Sequence, residues 1–362
     1  MLKHLWSTGL ALALLAAAGP ARAADDPQAK ALQRCAEIGA PTDRLACYDN
    51  LAGRAQPPLA VAPAASGPAP TSLLAPKEPV SAVPLAEGGQ SLMSKFWELD
   101  ARDKRGIFNF TGFQPNFVLP LHWTSDINRT PHSPTQAAVD TPDYRNIEGK
   151  IQLSLRTKLA QDVLLPGGDL WAAYTQQSLW QVYNSADSKP FRNTDYQPEL
   201  MYVVPAPEGL RALPFGWQWR YAQLGLVHES NGQSDPLSRS WNRVYLGAGL
   251  ERGDVGLTAH VWKRLHEDIT DDNNPDITNF IGRGDLQLTW TPGRATASLL
   301  VRSPLKTLNR GSVQFEWTYP IYRDQPNGLR WFAQVFSGYG ETLTDYNFRQ
   351  TSLGLGVTFL QF

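Results

Sequence analysis

Lys150-Ile151-Gln152-Leu153-Ser154-Leu155-Arg156-Thr157-Lys158-Leu159 alternates residue by residue, polar at the even positions and mostly apolar at the odd ones. Successive side chains of an extended strand point to opposite faces, so strict period two gives a strand with one polar and one apolar face. The pattern recurs. Phe280, Gly282, Gly284, Leu286, Leu288 and Trp290 alternate with Ile281, Arg283, Asp285, Gln287 and Thr289. Val313, Phe315, Trp317 and Tyr319 alternate with Ser312, Gln314, Glu316 and Thr318. Glu251-Arg252-Gly253-Asp254, Thr291-Pro292-Gly293-Arg294 and Gln325-Pro326-Asn327-Gly328 read as tight turns between such runs. Counting runs between breakers gives about twelve, an even number as single-chain bacterial membrane barrels require. The expected fold is all-β: a twelve-stranded antiparallel transmembrane β-barrel over residues 90–362.

A soluble β-sandwich is the alternative at this point. Trp, Tyr and Phe near strand ends suit the aromatic girdles of a barrel, and Lys, Arg, Asp, Glu and Gln on the polar face suit a lumen filled by side chains. The terminal aromatic Phe362 also favours the barrel, although it falls out of phase with Phe359 and the last strand alternates less cleanly.

The chain ahead of this region divides in three. Residues 1–23 read as an export signal: Lys3 is basic, Leu10 to Ala18 form a short apolar core, and Ala21-Arg22-Ala23 is a small-x-small cleavage site. That core is too short to span a bilayer as a helix, which takes roughly 20 apolar residues. Residues 24–54 read as two short helices, with Leu32, Ile38, Leu45, Tyr48 and Leu51 apolar and Pro41-Thr42-Asp43 supplying a turn and an N-cap. Cys35 and Cys47, the only two cysteines, fall one on each helix. A disulfide between them would stabilise by about 3 kcal/mol on the chain-entropy model. A metal pair is the rival reading, with no His or further Cys nearby to support it. Residues 55–89 are Pro- and Ala-rich, a composition that reads as a disordered linker. The formal net charge of −1 argues against nucleic acid as a partner.

The candidate chemistry lies in Leu224-Gly225-Leu226-Val227-His228-Glu229-Ser230, a polar loop Asn231 to Arg239, and Ser240-Trp241-Asn242. Period two puts His228 and Ser230 on one face with Leu224 and Leu226. Asn242 shares its face with Val244, Leu246, Ala248 and Leu250, while Arg243 points the other way. Three polar residues thus stand at the loop end of an apolar, lipid-facing stripe, where they are costly unless used. A serine hydroxyl needs a base within reach. His228 can serve, and Asn242 can orient the other imidazole nitrogen. An ordinary capping pair is the bland alternative for His-x-Ser, and a plain turn for Asp235-Pro236.

The run from His228 through Ser230-Asn231-Gly232-Gln233-Ser234-Asp235-Pro236-Leu237-Ser238-Arg239-Ser240-Trp241-Asn242-Arg243 resembles the active-site segment of the outer-membrane phospholipase A family. The resemblance covers about Phe96 to the C-terminus. It includes Gln181-Val182-Tyr183-Asn184, Pro190-Phe191-Arg192-Asn193-Thr194, Asp271-Asp272-Asn273-Asn274-Pro275-Asp276 and Ser337-Gly338-Tyr339-Gly340-Glu341, and leaves the hairpin and linker outside as an addition. It implies a calcium-dependent phospholipase acting on ester-linked acyl chains of membrane phospholipids and lysophospholipids. Ser230 would be nucleophile, His228 base, Asn242 the orienting residue and Gly232 N–H the oxyanion donor. Ca²⁺ would be held by Asp235, Ser238 and the carbonyl of Gln233, where the family carries arginine. The resemblance further implies a homodimer in which Ser188 reaches the partner's ion and Gln176 lies at the seam. Asp271 and Asp272 match a further calcium site, with an extra Asn leaving open which is the ligand. The location implied is the bacterial outer membrane, the site toward the outer leaflet and the hairpin in the periplasm. A non-catalytic pore and another outer-membrane acyl hydrolase are the competing functions; headgroup and positional specificity are not encoded legibly.

Overall fold

The computed structural model describes residues 27–52, 91–188, 191–306, 309–325 and 327–359. The expected export signal, the expected linker and Phe362 lie outside the described residues. The chain forms two compact units, residues 1–75 and 76–362.

In the first unit α1 (Pro27–Ala36) and α2 (Pro41–Leu51) are joined by a Cys35–Cys47 disulfide, their Cα atoms 5.5 Å apart. The expected side-chain N-cap is absent. Helix α2 begins at Pro41 behind Ala40, which makes no capping bond, and Asp43 sits within the first turn. Proline suits the first helical position because its fixed φ is helical and its missing N–H would be unbonded there anyway. The carboxylate of Asp43 still favours the positive helix end. Leu32, Leu45 and Leu51 are exposed, and Cys35 alone of the described side chains is buried. Two helices this short cannot enclose a core, so the disulfide is the cross-link that holds them.

The second unit is a closed antiparallel barrel. Its strands are β1 (Asn116–Thr124), β2 (Ile147–Ala160), β3 (Asp169–Trp180), β4 (Asn193–Pro205), β5 (Gln218–Ser230) and β6 (Ser240–Arg252). They continue as β7 (Val255–Arg264), β8 (Gly284–Trp290), β9 (Thr296–Ser303), β10 (Ser312–Pro320), β11 (Arg330–Tyr339) and β12 (Arg349–Phe359). Each pairs with its chain neighbour, and β12 closes on β1 with Ser352 opposite Thr124. A two-residue strand, Thr111–Gly112, adds to β2 beyond the end of β1. Closure leaves no sheet edge, the condition for strands in hydrocarbon. No described helix is long and apolar enough to cross a membrane.

The faces follow the alternation. Along β2, Leu153 and Leu155 are exposed while Lys150, Ser154, Arg156 and Lys158 are buried. Along β10, Val313, Phe315 and Trp317 are exposed while Ser312, Glu316 and Thr318 are buried. The outer wall is therefore apolar and the lumen polar. Trp290 and Trp317 fall in one cross-strand row near the short-turn rim, where an aromatic girdle is expected at an interface.

Two sequence expectations change. The Phe280–Trp290 run is a strand only from Gly284, because Ile277–Asn279 forms a 3₁₀ turn that carries Phe280 and Ile281 inward. The poor alternation of β12 has a local cause. The β12–β1 register shifts between Leu355 and Val357, beside Pro120, which has no N–H to give the ladder. Gly356 fits there because a Cβ would lie 2.1 Å from the Val118 carbonyl oxygen.

The two ends of the barrel differ. At the short-turn end α3 (Leu92–Trp97) packs Trp97 against Phe113, Trp171 and Tyr221 inside the lumen. Glu251 accepts from the backbone N–H of Leu92, 2.7 Å, and Arg156 lies 3.5 Å over the Phe96 ring. The other end carries the long loops, Ser230 and Arg192.

Candidate active site

Strands β5 and β6 pair so that His228 faces Asn242 and Ser230 faces Ser240. Both outer-phase rows also carry exposed leucines, Leu224 and Leu226 on β5 and Leu246 on β6. The inner-phase neighbours Val227 and Trp241 are buried. His228 and Asn242 therefore stand on the outer wall at the loop end, as the alternation requires. His228 Nδ1 lies 2.9 Å from Asn242 Oδ1. The nearest carboxylate in sequence, Glu229, belongs to the other face, where it accepts from Arg243 Nη1 at 2.6 Å and Trp241 Nε1 at 3.1 Å. It cannot replace Asn242 as the group behind the imidazole.

Among the described residues no hydrogen bond joins Ser230 to His228; the Gly232 N–H donates to Ser230 Oγ at 3.2 Å. Such catalytic bonds commonly tighten only with substrate in place. Gly232 has φ +61°, and a Cβ there would lie 3.0 Å from the Tyr196 ring. Both facts favour glycine and let a backbone N–H reach the Ser230 hydroxyl. Tyr196 itself pairs with Ser230 across β4 and β5.

The loop from 231 to 239 is held by residues the sequence reading did not single out. Asn231 Oδ1 accepts from the N–H groups of Gln233 and Arg239, while its Nδ2 donates to the Leu237 carbonyl and to Thr344 Oγ1. Arg239 donates to the carbonyls of Pro236 and Ser238. Burial pushes its guanidinium below the usual arginine range. Asn273 bridges two loops: its Nδ2 donates to Ser238 Oγ at 2.8 Å and its Oδ1 accepts from the Ser240 N–H at 2.9 Å. Tyr346 donates to Asp276, and burial together with that carboxylate holds its phenol well above the ordinary value.

The expected calcium ligands Gln233, Asp235 and Ser238 lie in this one loop. They offer a carbonyl, a carboxylate and a hydroxyl, all hard oxygens of the kind Ca²⁺ takes. Asp235 Oδ1 accepts from Gln136 Nε2 at 3.1 Å, and Ser238 Oγ keeps a lone pair beyond its Asn273 bond. Three protein donors fall short of the six to eight oxygens Ca²⁺ prefers, so water or a second chain must complete the shell. Among the described residues no cluster of three or more His, Cys, Asp or Glu could hold a metal; this set, with one carboxylate, is of another kind. Ser188 is exposed in the loop before β4. Asp272 is buried and accepts from Arg264 Nη2 at 2.7 Å and the Asn274 N–H, whereas Asp271 is exposed.

Gln176 faces outward, opposite exposed Leu153 on β2 and exposed Tyr196 on β4. Its Oε1 accepts from the Tyr174 hydroxyl at 3.2 Å and its Nε2 donates to Ser178 Oγ at 3.4 Å. A cross-strand row Leu153–Gln176–Tyr196–Ser230–Ser240 thus crosses five strands of the outer wall.

A lumen filled by charge and packed aromatics inside an apolar wall defines a membrane β-barrel, with a serine, a histidine and an asparagine set on its outside at the loop end. The family model described as phospholipase A1 matches residues 93–359, and the chain belongs to that family. A relative from Neisseria meningitidis serogroup B, provisionally named a phospholipase A1, is 34% identical over 354 residues, covering 90% of each chain. An alignment that long must enter the residues ahead of the barrel, so the N-terminal region is not confined to this chain. The outer membrane phospholipase A structure from Escherichia coli is 36% identical with a TM-score of 0.61, covering 70% of this chain and 98% of that one. The Salmonella typhi outer membrane phospholipase dimer with bound calcium is 35% identical with a TM-score of 0.60, covering 70% and 92%.

Proposed function

We propose that this chain is a calcium-dependent phospholipase of the bacterial outer membrane that hydrolyses acyl esters of phospholipids and lysophospholipids on the outside of its barrel. The observation that carries this reading is the 2.9 Å His228–Asn242 contact at the end of the apolar outer stripe of β5 and β6, two residues from Ser230. Ser230 Oγ attacks the acyl carbonyl carbon while His228 Nε2 takes its proton. The carbonyl oxygen becomes an oxyanion and accepts from the Gly232 N–H. The ester C–O bond then breaks, and the proton on His228 passes to the departing alkoxide. Water, deprotonated by His228, releases the fatty acid by the same steps in reverse. Asn242 keeps the imidazole in the tautomer that leaves Nε2 free as base.

Gln233, Asp235 and Ser238 would hold Ca²⁺, which supplies positive charge beside the developing oxyanion. Ser188 of the partner subunit and water would complete the shell, so the active form is a dimer with Gln176 at its seam. A calcium-bound dimer among the relatives supports this. Asp271 offers the available carboxylate for a second ion, since Asp272 is spent on Arg264. The site faces the outer leaflet, with the hairpin in the periplasm.

The test is acyl release from phospholipid in mixed micelles, with Ca²⁺ and with chelator, beside sedimentation across a Ca²⁺ titration. Release should require Ca²⁺ and follow the dimer, and Asp235→Ala should weaken both together, since an ion that binds the dimer better must promote it. Full release by a monomer in chelator overturns the calcium reading.

A further inference from the structure

We propose that Glu267 is a positioning residue of the same site, holding Asn242 so that His228 remains a base; the inference rests on the Ser230–His228–Asn242 reading above. Just beyond β7 the chain stays against β6, the Leu265 N–H donating to the Asn242 carbonyl at 2.8 Å. This brings Glu267 Oε1 to 2.8 Å from Asn242 Nδ2. Arg264 in turn fixes Glu267, its Nη2 donating to Oε2 at 3.2 Å and to Asp272 Oδ1 at 2.7 Å, while its Nη1 donates to the Asn274 carbonyl at 2.9 Å. A continuous chain of bonds therefore runs from His228 through Asn242 and Glu267 to Arg264.

The chemistry of the asparagine gives this chain its purpose. An amide has an accepting end and a donating end of nearly equal shape, and nothing intrinsic decides which faces His228. If Nδ2 faced the ring, it would require Nδ1 as acceptor, which puts the imidazole proton on Nε2. That tautomer cannot take the Ser230 proton. An ionised carboxylate accepts only, so Glu267 admits the NH₂ end of Asn242 and repels the oxygen end. Oδ1 is then turned to His228 Nδ1–H, and Nε2 is left unprotonated. The carboxylate also polarises the amide, strengthening Oδ1 as an acceptor when imidazolium forms. A neutral residue behind the histidine is thus backed by a charge one bond further out.

Nothing in this needs Glu267 to touch substrate, so a role in merely anchoring the loop must be separated from it. The separating experiment exchanges the two polarities. The full chain, refolded in detergent with Ca²⁺, is prepared as Glu267→Gln, Asn242→Asp and the double variant, with Ser230→Ala as control. Folding is scored by the anomalous migration of the unboiled barrel, and kcat and KM for acyl release are measured for each. Glu267→Gln should lower kcat about tenfold at unchanged KM, since the amide orientation is no longer imposed. Asn242→Asp alone should lose more, because it sets two carboxylates 2.8 Å apart. The double variant should exceed Asn242→Asp at least tenfold, the carboxylate now behind His228 and the amide behind it. Should Glu267→Gln fold poorly, Glu267→Ala takes its place in the same comparison. A double variant no faster than Asn242→Asp overturns the proposal, as does Glu267→Gln with parental kcat. Acyl release by Ser230→Ala overturns the site reading itself, and this proposal with it, irrespective of position 267.

Discussion

Two sets of polar residues sit in the same barrel wall and are treated in opposite ways. Inside, at the loop end, Glu341 accepts from Lys150, His122, Ser352 and Gln350, at 2.7–2.9 Å. Glu148 accepts from Arg192 at 2.6 and 2.9 Å and from Gln181 at 2.9 Å. Outside, His228 and Asn242 make one bond to each other, and the His228 Nε2 has no described protein partner. The lumenal carboxylates exchange hydration for three or four hydrogen bonds each and so hold the barrel shut. Asn242 is itself held by Glu267, so on the outer wall the unspent capacity is that of one imidazole nitrogen, costly for structure and of the kind a general base needs. Multiple partners distinguish the lumenal carboxylates, and an open nitrogen distinguishes His228.

The largest expected effects come from exchanging the two behaviours. Ser230→Ala should reduce acyl release by at least about 10⁴-fold, equivalent to about 5.5 kcal/mol of transition-state stabilisation, and abolish sulfonyl fluoride labelling. The urea midpoint of the barrel should not move. Labelling that persists at Ser234 or Ser240 would displace the nucleophile. Glu341→Ala should do the reverse. It leaves buried Lys150 with only Gln334 Oε1, 2.8 Å away, and breaking such a buried pair costs about 3–5 kcal/mol. An unfolding midpoint equal to the parent's would show that the lumenal network is ornamental.

The same network sets a pH dependence. Burial alone would raise the Glu341 carboxyl, but the charges of Lys150 and His122 outweigh it and hold it well below the usual carboxylate range. Glu98, at the other end, is likewise lowered, burial being outweighed by Lys158 and Arg105. A carboxylate depressed by folding contributes stability that is fully present above its unfolded pKa and lost as pH falls through the folded value. The share of stability that Glu341 and Glu98 supply should therefore be lost on acidification below about pH 4.5, where unfolded carboxylates begin to take up protons. Urea midpoints from pH 7 downward measure this, and Glu341→Gln should flatten the slope. A gap between the parent and Glu341→Gln midpoints that widens in acid would contradict the sign.

Much of this was legible in sequence because period two is local. Leu153 and Leu155 face out and Lys150 and Arg156 face in for the same reason that they alternate. The His228–Asn242 pair was legible through the resemblance that the run from His228 to Arg243 carries, since spacing across a loop as long as Asn231 to Arg239 does not fix the register of its strands. What local pattern does not carry was missed. Phe280 and Gly282 continue an alternation without a ladder, since a turn at Ile277–Asn279 diverts them. Gly356 hides a bulge that only its approach to Val118 reveals. Asn231 and Asn273 look like loop residues until their bonds are traced. Glu267 reaches Asn242 only because β6 and β7 set the segment beyond Arg264 beside it, and no spacing in the chain announces that.

The smallest effect concerns Gln176, the outer polar residue in the same cross-strand row as Ser230. In one barrel its amide is partly satisfied by Tyr174 and Ser178 of its own strand. A dimer therefore gains only the difference between those bonds and bonds to a second copy. Hydrogen bonds between membrane segments average about 0.6 kcal/mol for this reason. A two-fold seam repeats each contact, so the expected loss for Gln176→Leu is about 1.2 kcal/mol, roughly eightfold in the dimer constant. Leucine matches the lipid-facing neighbours Leu153 and Tyr196 in polarity, so the monomer should fold as before. Sedimentation equilibrium in detergent at saturating Ca²⁺ resolves a change of that size. An unchanged dimer constant would place the seam elsewhere on the wall and leave Gln176 as a third kind of polar residue, one satisfied by its own strand.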